Sequence, residues 1–517
     1  MDTGLCHSTG SMRAAAFRNS DNKNKLAGTN RCPLVPPSLP PGAEIIADFG
    51  GGSTGLRFGL ASAPAHSEDR LNDGWERFAQ QGNVAAFEVG KPYERLRFWS
   101  EPEVELDLVA QSGAKVFRTG LDWARLVPID PRKVNKPCSL RTIQNTKAMK
   151  RYKDILRMVR ERGLEGMVTM FHHSLPKWAI DDGGWTNPEI KELFIEFAMD
   201  LMDEFSDLVD YWIPFNEPAI FAALSYAVGM WPTDTKGKSP FDQRFSNQAI
   251  DHMVEAHRRL YQYKIDKSIT VPMGIAKFTG KYTGVGGIPS RLVARIAGGK
   301  VNHDFVDRIA DCLDFMGINY YGEERIKNFT IVMDPRAEYT ENGKAINPDG
   351  LYRVLHKFHD RYNVKKVGRK EAQHHLPIYV TENGIADSTD LLRPAYMIEH
   401  LLAIHKARQE GVPVGIYTHW TTSDNWEWAD GYGPQFGLCK VERDNDLRRV
   451  PRESYYLYKQ LAESGVVTQE QRDHAWKLVQ DNIDKDHPIY RAIDGRSSLK
   501  TPRYIPIKDI RGWGFRA

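Results

Sequence analysis

Two glutamates stand where this chain can do chemistry. Glu217 follows the apolar run Leu208–Pro214 in Phe215-Asn216-Glu217-Pro218, and Glu382 follows Pro377–Thr381 in Glu382-Asn383-Gly384. Each is a carboxyl at the end of a strand-like run, with Pro or Gly turning the chain just beyond it. Cleavage of a glycosidic bond needs such a pair. One carboxylic acid protonates the leaving oxygen while a second carboxylate attacks or stabilises the oxocarbenium-like carbon, and retention requires the two to lie about 5–5.5 Å apart. The acid partner needs a raised pKa, which burial and a neighbouring negative charge supply. Position alone is weak evidence, because the chain holds 67 Asp and Glu and two of them at strand ends is compatible with chance.

Around the pair, other strand ends contribute polar and aromatic side chains. His419-Trp420-Thr421-Thr422-Ser423-Asp424-Asn425-Trp426-Glu427-Trp428 suits a sugar: indole faces cover its C–H face, and a carboxylate binds vicinal hydroxyls. Trp-rich runs are more often core, but buried carboxylates need partners, and this run interleaves Asp, Asn and Glu. His66, Arg118, His172 and Asn319-Tyr320-Tyr321 occupy further strand ends, and Arg118 is suited to pair with the attacking carboxylate. A lone His is usually structural. Adjacent His172 and His173 with no spaced third ligand argue against zinc.

The elements that position these residues alternate along the chain. Strand-like runs at Leu56–Ala61, Lys115–Leu121, Gly166–Phe171, Leu208–Pro214, Met273–Ala276, Asp314–Asn319, Pro377–Thr381 and Val414–His419 are separated by amphipathic stretches. These stretches are Glu101–Gln111, Met149–Arg162, Pro188–Phe205, Asn247–Ile265, Asn302–Cys312, Gly350–Tyr362 and Leu391–Glu410. Strand–helix alternation predicts a parallel sheet, and eight units favour a closed (β/α)8 TIM barrel, whose active site lies at the strands' C-terminal ends. The barrel is expected over 44–464 as a single catalytic domain, with flanking tails at 1–43 and 465–517. Residues 1–43 are acid-poor and end in a Pro-rich run, as in a transit peptide or a tail with no address.

Composition narrows the class. With 517 residues, 41% apolar and 26% charged, the chain is long enough for an extensive core. A net charge of +3 with scattered basic residues excludes a nucleic-acid partner. Five cysteines without close pairing suggest no disulfide framework and a reducing compartment. No apolar run is long enough to span a bilayer.

With these residues in view, the chain resembles glycoside hydrolase family one, the β-glucosidase family, over about residues 56–460. The likeness rests on Phe58-Gly59-Leu60-Ala61, Asn216-Glu217-Pro218, Asn319-Tyr320-Tyr321, Thr381-Glu382-Asn383-Gly384 and Asp424-Asn425-Trp426-Glu427-Trp428. It continues through Gly431-Tyr432-Gly433 and Phe436-Gly437-Leu438. The resemblance implies Glu217 as acid/base, Glu382 as nucleophile and Tyr321 beside the nucleophile. It implies sugar contacts from His172, Asn216, Trp420, Glu427 and Trp428, with His66 where most members carry Gln. His173-Ser174 replaces the usual Trp-Asp, and the second strand reads Phe117-Arg118-Thr119-Gly120-Leu121-Asp122-Trp123. These departures are similar to the galactolipid:galactolipid galactosyltransferase branch of the family.

That branch implies galactose transfer from monogalactosyldiacylglycerol to another galactolipid with release of diacylglycerol, at the chloroplast outer envelope. Two other readings share the same fold: hydrolysis of soluble β-glycosides by a cytoplasmic enzyme, and a sugar-binding barrel without catalysis. No cofactor is required by the chemistry. The resemblance raises stimulation by Mg²⁺, for which the sequence offers no ligand set. A lipid substrate would need a membrane-facing surface. The stretch 277–300 has several Lys and Arg and no acidic residue, and Ile288–Ile296 within it reads as a short basic amphipathic helix on the catalytic face, expected to give peripheral membrane contact.

Overall fold

The computed structural model describes residues 45–50, 55–84, 94–134, 140–238, 242–327, 330–332, 338–371 and 373–484, with short strand pieces at 490–491 and 498–499. The leader read at 1–43 lies outside the described residues. Eight parallel strands form the body: β1 (Arg57–Ala61), β2 (Val116–Gly120), β3 (Glu165–Phe171), β4 (Tyr211–Phe215), β5 (Gly274–Gly284), β6 (Phe315–Lys327), β7 (Ile378–Asn383) and β8 (Val414–His419). A helix follows each: α1 (Pro102–Gln111), α2 (Thr146–Glu161), α3 (Pro188–Phe205), α4 (Arg244–Asp266), α5 (Ile288–Asp307), α6 (Pro348–His359), α7 (Arg393–Gln409) and α8 (Glu453–Ser464).

Hydrogen bonding runs β4-β3-β2-β1-β8-β7-β6-β5. Between β4 and β5 the ring closes through parallel bridges at Trp212–Met273 and Asn216–Ala276. Backbone bonds from Trp212 to Pro272 at 2.9 Å and from Glu217 to Ala276 at 2.8 Å complete the closure. This is the TIM barrel expected from the alternation.

The strands are apolar on both faces because both are covered. Inside, Val116, Met167, Tyr211, Ile213, Ala276, Phe315, Tyr379 and Ile416 fill the barrel. Arg57 and Tyr211 both bond Glu165 beside that plug, at 2.6 and 2.9 Å. Outside, α3 shows how the helices are specified. Asn187 caps it by accepting from Glu189 N at 2.9 Å, Pro188 opens it, and Ile190, Phe194, Phe197, Leu201 and Phe205 bury one stripe.

The structure changes the expected boundaries in three places. β4 starts at Tyr211 rather than Leu208, because the chain leaving α3 is still turning, with Leu208 N bonded to Phe205 O at 2.8 Å. β5 and β6 run well past Ala276 and Asn319, paired as far as Gly284 and Ile326. The separate helices expected at Ile288–Ile296 and Asn302–Cys312 are one helix, α5. It continues through Gly298-Gly299 because the small residue serves packing there: a Cβ on Gly298 would stand 3.1 Å from Tyr282. Asn302 ties the helix to β5 by bonding both Gly280 N and Gly280 O, at 3.1 and 3.0 Å.

Beyond Ser464 the chain stays on the barrel. Val466–Thr468 pairs antiparallel with Ile45–Asp48, and α9 (Gln469–Asp484) lies against α7. Arg472 Nε bonds the buried Glu399 of α7 at 2.6 Å, and Trp476 Nε1 bonds the same carboxylate at 2.8 Å. Cys312 and Cys439 are buried free thiols.

Candidate active site

Glu217 ends β4 in the left-handed region, with φ 43° and ψ 50°, an uncommon backbone for a residue with a side chain. Pro218 then opens a short helix, Pro218–Ala222, and the Glu217 amide is held by Ala276 O of β5. This bend sends the carboxyl across the barrel mouth. Asn319 Nδ2, from β6, donates to Glu217 Oε1 at 2.8 Å and to Asn216 Oδ1 at 3.0 Å. Glu382 lies near the end of β7, in register with Asn319. One of its oxygens accepts from Arg118 Nη1 and the other from the Tyr321 hydroxyl at 2.6 Å.

The two acids are thus ends of one buried network. Arg118, fully buried on β2, bonds Glu382 through one nitrogen and Asn216 Oδ1 through the other at 2.7 Å. Asn319 joins Asn216 to Glu217. Because Arg118 only donates, the Asn216 oxygen must face it, and its amide nitrogen is left to donate to His172 Nε2 at 2.9 Å and to His173 Nε2 at 3.2 Å. Both imidazoles then carry their proton on Nδ1. Burial keeps both well below the usual histidine range, so they are neutral.

His66 is locked by a short bond between Nδ1 and Trp426 O, which leaves its Nε2 lone pair unmatched. Burial lowers its pKa to about 3. His172 Nδ1 is likewise buried without a partner. His66 Nε2 and His172 Nδ1 are thus a buried acceptor and a buried donor without protein partners, groups of the kind that sugar hydroxyls can satisfy. Trp420 Nε1 donates to Glu427 Oε1 at 3.1 Å, while the rings of Trp420 and Trp428 pack on His66 at 4.8 and 4.0 Å. Burial raises the Glu427 carboxyl well above the ordinary range.

For Glu217, burial and then the charge of Glu382 push the carboxyl up to about 8, against smaller opposing contributions from Asn319, Lys277 and Arg118. A group that keeps its proton at neutral pH beside one held by a guanidinium and a phenol has the chemistry of an acid and a nucleophile.

Glu217, Glu382, His66, Arg118, His172, Asn216, Asn319, Tyr321, Trp420, Glu427 and Trp428 enter this one cluster, whereas Tyr320 donates to Asn347 O at 2.6 Å and Asp424 pairs with Arg452 at 2.9 Å. The sequence reading missed its aromatic outer wall. His173 stacks on Phe221 at 5.7 Å and packs on Trp231 at 4.8 Å, and Trp75 and Trp231 approach Trp428 at 4.9 and 5.6 Å. Leu224, Met230, Trp231 and Phe436 line a cavity of about 160 Å³ over Glu427 and Trp428. The available signal was position: Met230 and Trp231 follow β4, on the same rim as Glu217.

Lys277 leaves the membrane-facing set. It is buried in β5, where its Nζ donates to Val301 O at 2.6 Å, and burial lowers it to about 8. Among the described residues no three His, Cys, Asp or Glu side chains converge as a metal cage.

Comparison with known proteins places this geometry. The chain is 37% identical to the galactolipid galactosyltransferase SFR2, chloroplastic, of Arabidopsis thaliana, covering 91% of this chain and 84% of that one. It is 41% identical to the beta-glucosidase-like SFR2, chloroplastic, of Oryza sativa subsp. japonica, covering 84% and 67%. A beta-galactosidase of Saccharolobus solfataricus is 28% identical over 80% of this chain and 96% of its own length. Among solved structures, a beta-glucosidase from Thermotoga maritima in complex with deoxynojirimycin has a TM-score of 0.70 at 22% identity, covering 82% and 100%, which shows the shared fold. The profile of Glycosyl hydrolase family 1 matches residues 75–282 and 276–466, and the chain belongs to that family.

Proposed function

We propose that this enzyme transfers β-linked galactose from one galactolipid to another with retention, by double displacement at Glu382 and Glu217. The observation that carries the reading is the single hydrogen-bonded path Glu217–Asn319–Asn216–Arg118–Glu382, which holds both carboxyls in one network at the strands' C-terminal ends. In the first step a Glu382 oxygen attacks the anomeric carbon, the bond to the diacylglycerol oxygen breaks, and Glu217 gives that oxygen its proton. Forming the ester removes the Glu382 charge, which is one of the two causes holding Glu217 up near 8. The Glu217 pKa therefore falls between the two steps, and the carboxylate becomes the base the second step needs. It takes the proton of an acceptor sugar hydroxyl, whose oxygen attacks the anomeric carbon and releases Glu382.

Transfer rather than hydrolysis is supported by the likeness to the galactolipid galactosyltransferase of Arabidopsis thaliana. The apolar wall of Leu224, Met230, Trp231 and Phe436 also supports it, since it favours a lipid-borne sugar over bulk water at the mouth. The chloroplastic names of both relatives support action in the chloroplast, and a galactolipid substrate would place it at a membrane there, for which we propose the outer envelope. No helix among the described residues is long and apolar enough to cross a membrane; peripheral contact is assigned to the exposed part of residues 277–300, without the buried Lys277. The test is product analysis on galactolipid vesicles. Oligogalactolipid and diacylglycerol are expected from the wild type and neither from Glu382→Gln. Free galactose as the only sugar product would replace transfer with hydrolysis, and failure of a fluoro-sugar to label Glu382 would remove catalysis from the site.

A further inference from the structure

α5 presents its side chains the reverse way from a helix that serves only the core. Its inner face is small. Ser290 and Ala294 are buried, and Gly298 lies against Tyr282 of β5. The strand answers in kind: a Cβ on Gly284 would stand 2.3 Å from Arg291 N, so backbone meets backbone. The large apolar residues point away. Ile288, Leu292 and Ile296, one stripe at four-residue spacing, are 79%, 57% and 62% exposed. They are three of the nine large hydrophobics exposed among the described residues, and the other six are scattered. Scattered singles need no explanation; a stripe does.

The stripe stands on the catalytic side. Glu217 N bonds Ala276 O, and β5 continues from there to Gly284. At about 3.3 Å per residue, that part of the strand is roughly 25 Å long, so even tilted its tip lies well past the level of Glu217. α5 starts beyond its tip and runs back, so its exposed first turns lie above the rim while Phe305 and Val306 are buried near its end.

Charge accompanies the stripe. Arg291, Arg295 and Lys300 are exposed, and none makes an ion pair among the described residues. Residues 277–300 contain no Asp or Glu. Lys357 of α6 faces the same region, where burial and then Lys281, Arg353 and Arg295 lower its pKa, the mark of cations crowded together. Galactolipids are uncharged, so this field has no counterpart in the proposed substrate.

We propose that the first four turns of α5 dock the enzyme on a bilayer containing anionic lipid. Ile288, Leu292 and Ile296 enter the boundary between headgroups and acyl chains, and Arg291, Arg295 and Lys300 meet anionic headgroups with their stems along the apolar surface. The inference rests on the galactolipid reading for the presence of a bilayer, and adds a second lipid class recognised outside the active site.

The test is flotation of the full chain with vesicles of neutral galactolipid alone and with phosphatidylglycerol added. Wild type is expected to bind the mixed vesicles more tightly, with the difference lost at high salt. The triple variant Arg291→Gln, Arg295→Gln, Lys300→Gln is expected to lose on the order of a hundredfold in binding to them. The triple variant Ile288→Ser, Leu292→Ser, Ile296→Ser is expected to lose binding to both kinds of vesicle. Both variants should cleave a soluble aryl β-galactoside at the wild-type rate, which establishes that they fold.

Three results overturn the proposal: equal binding of wild type to both vesicles, wild-type binding by the variants, or a dimer abolished by the serine variant without vesicle binding. Oligogalactolipid formation with binding blind to phosphatidylglycerol would sink the docking site and leave transfer standing. Charge-dependent docking with free galactose as the only sugar product would do the reverse.

Discussion

The strained backbone of Glu217 is held by contacts on both sides: the Ala276 carbonyl on its amide, Pro218 in the following turn, and Asn319 on its carboxyl. Its pKa gives the first prediction. A carboxyl raised to about 8 keeps its proton below that pH, so kcat/KM should hold through neutrality and fall on an alkaline limb near 8. Asn319→Ala removes a bond that favours the carboxylate, so the same pH–rate profile should show a lower plateau and an alkaline limb moved upward. Glu217→Gln should lower kcat/KM by roughly 10²–10⁴-fold on alkyl galactosides and far less on nitrophenyl galactosides, whose leaving group needs little protonation, while kcat falls on both because the second step loses its base. Tyr321→Phe removes one of the bonds on Glu382 and should reduce kcat/KM by about tenfold to a hundredfold, the usual value of a hydrogen bond to a charged group.

At the scale of elements, close approach of backbones limits what the strands tolerate. Gly317 lies in β6 between β5 and β7, and a Cβ there would stand 2.0 Å from Ile275 O and 2.8 Å from the Thr381 side chain. Gly317→Ala should therefore lower stability in urea by about 1–3 kcal/mol, and activity with it, since Thr381 holds Asn319 at 2.7 Å. The barrel strands were legible within a few residues because each is an apolar run bounded by turn residues. Their extensions were not. Past Ala276 and Asn319, β5 and β6 carry Lys, Gly, Thr and Glu, which read as loop until pairing between the two satisfies their backbones. α5 was read as two helices for a related reason: its inner face is made of residues too small to register as an apolar stripe.

At the scale of the whole molecule, the segment before the first barrel strand and the segment after the last barrel helix join across the barrel's outside. Val467, Ala475, Trp476 and Val479 are buried on the body, and Arg472 and Glu399 form an ion pair almost without solvent contact. Arg472→Ala leaves that buried carboxylate without a counter-charge, held only by the Trp476 indole, and should lower stability by roughly 3–5 kcal/mol in chemical denaturation. Truncation after Ser464 removes the partner strand of Ile45–Asp48 as well. Since each large apolar side chain contributes about 1.5–3 kcal/mol on burial, the shortened chain should aggregate on expression and lose activity on soluble glycosides too.

By itself the sequence determined which residues stand at strand ends, and in what order. Period-two and period-3.6 patterns are local properties, and a barrel gathers every strand's C-terminal end on one rim. Only the tertiary structure decided who touches whom on that rim. Arg118 and Glu382 lie on β2 and β7, far apart in sequence, and they meet because the first strand pairs with the last, leaving only β1 and β8 between them. The fork of Asn216 toward Arg118 on one side and two neutral histidines on the other depends on strand register and stagger, which no window of sequence contains.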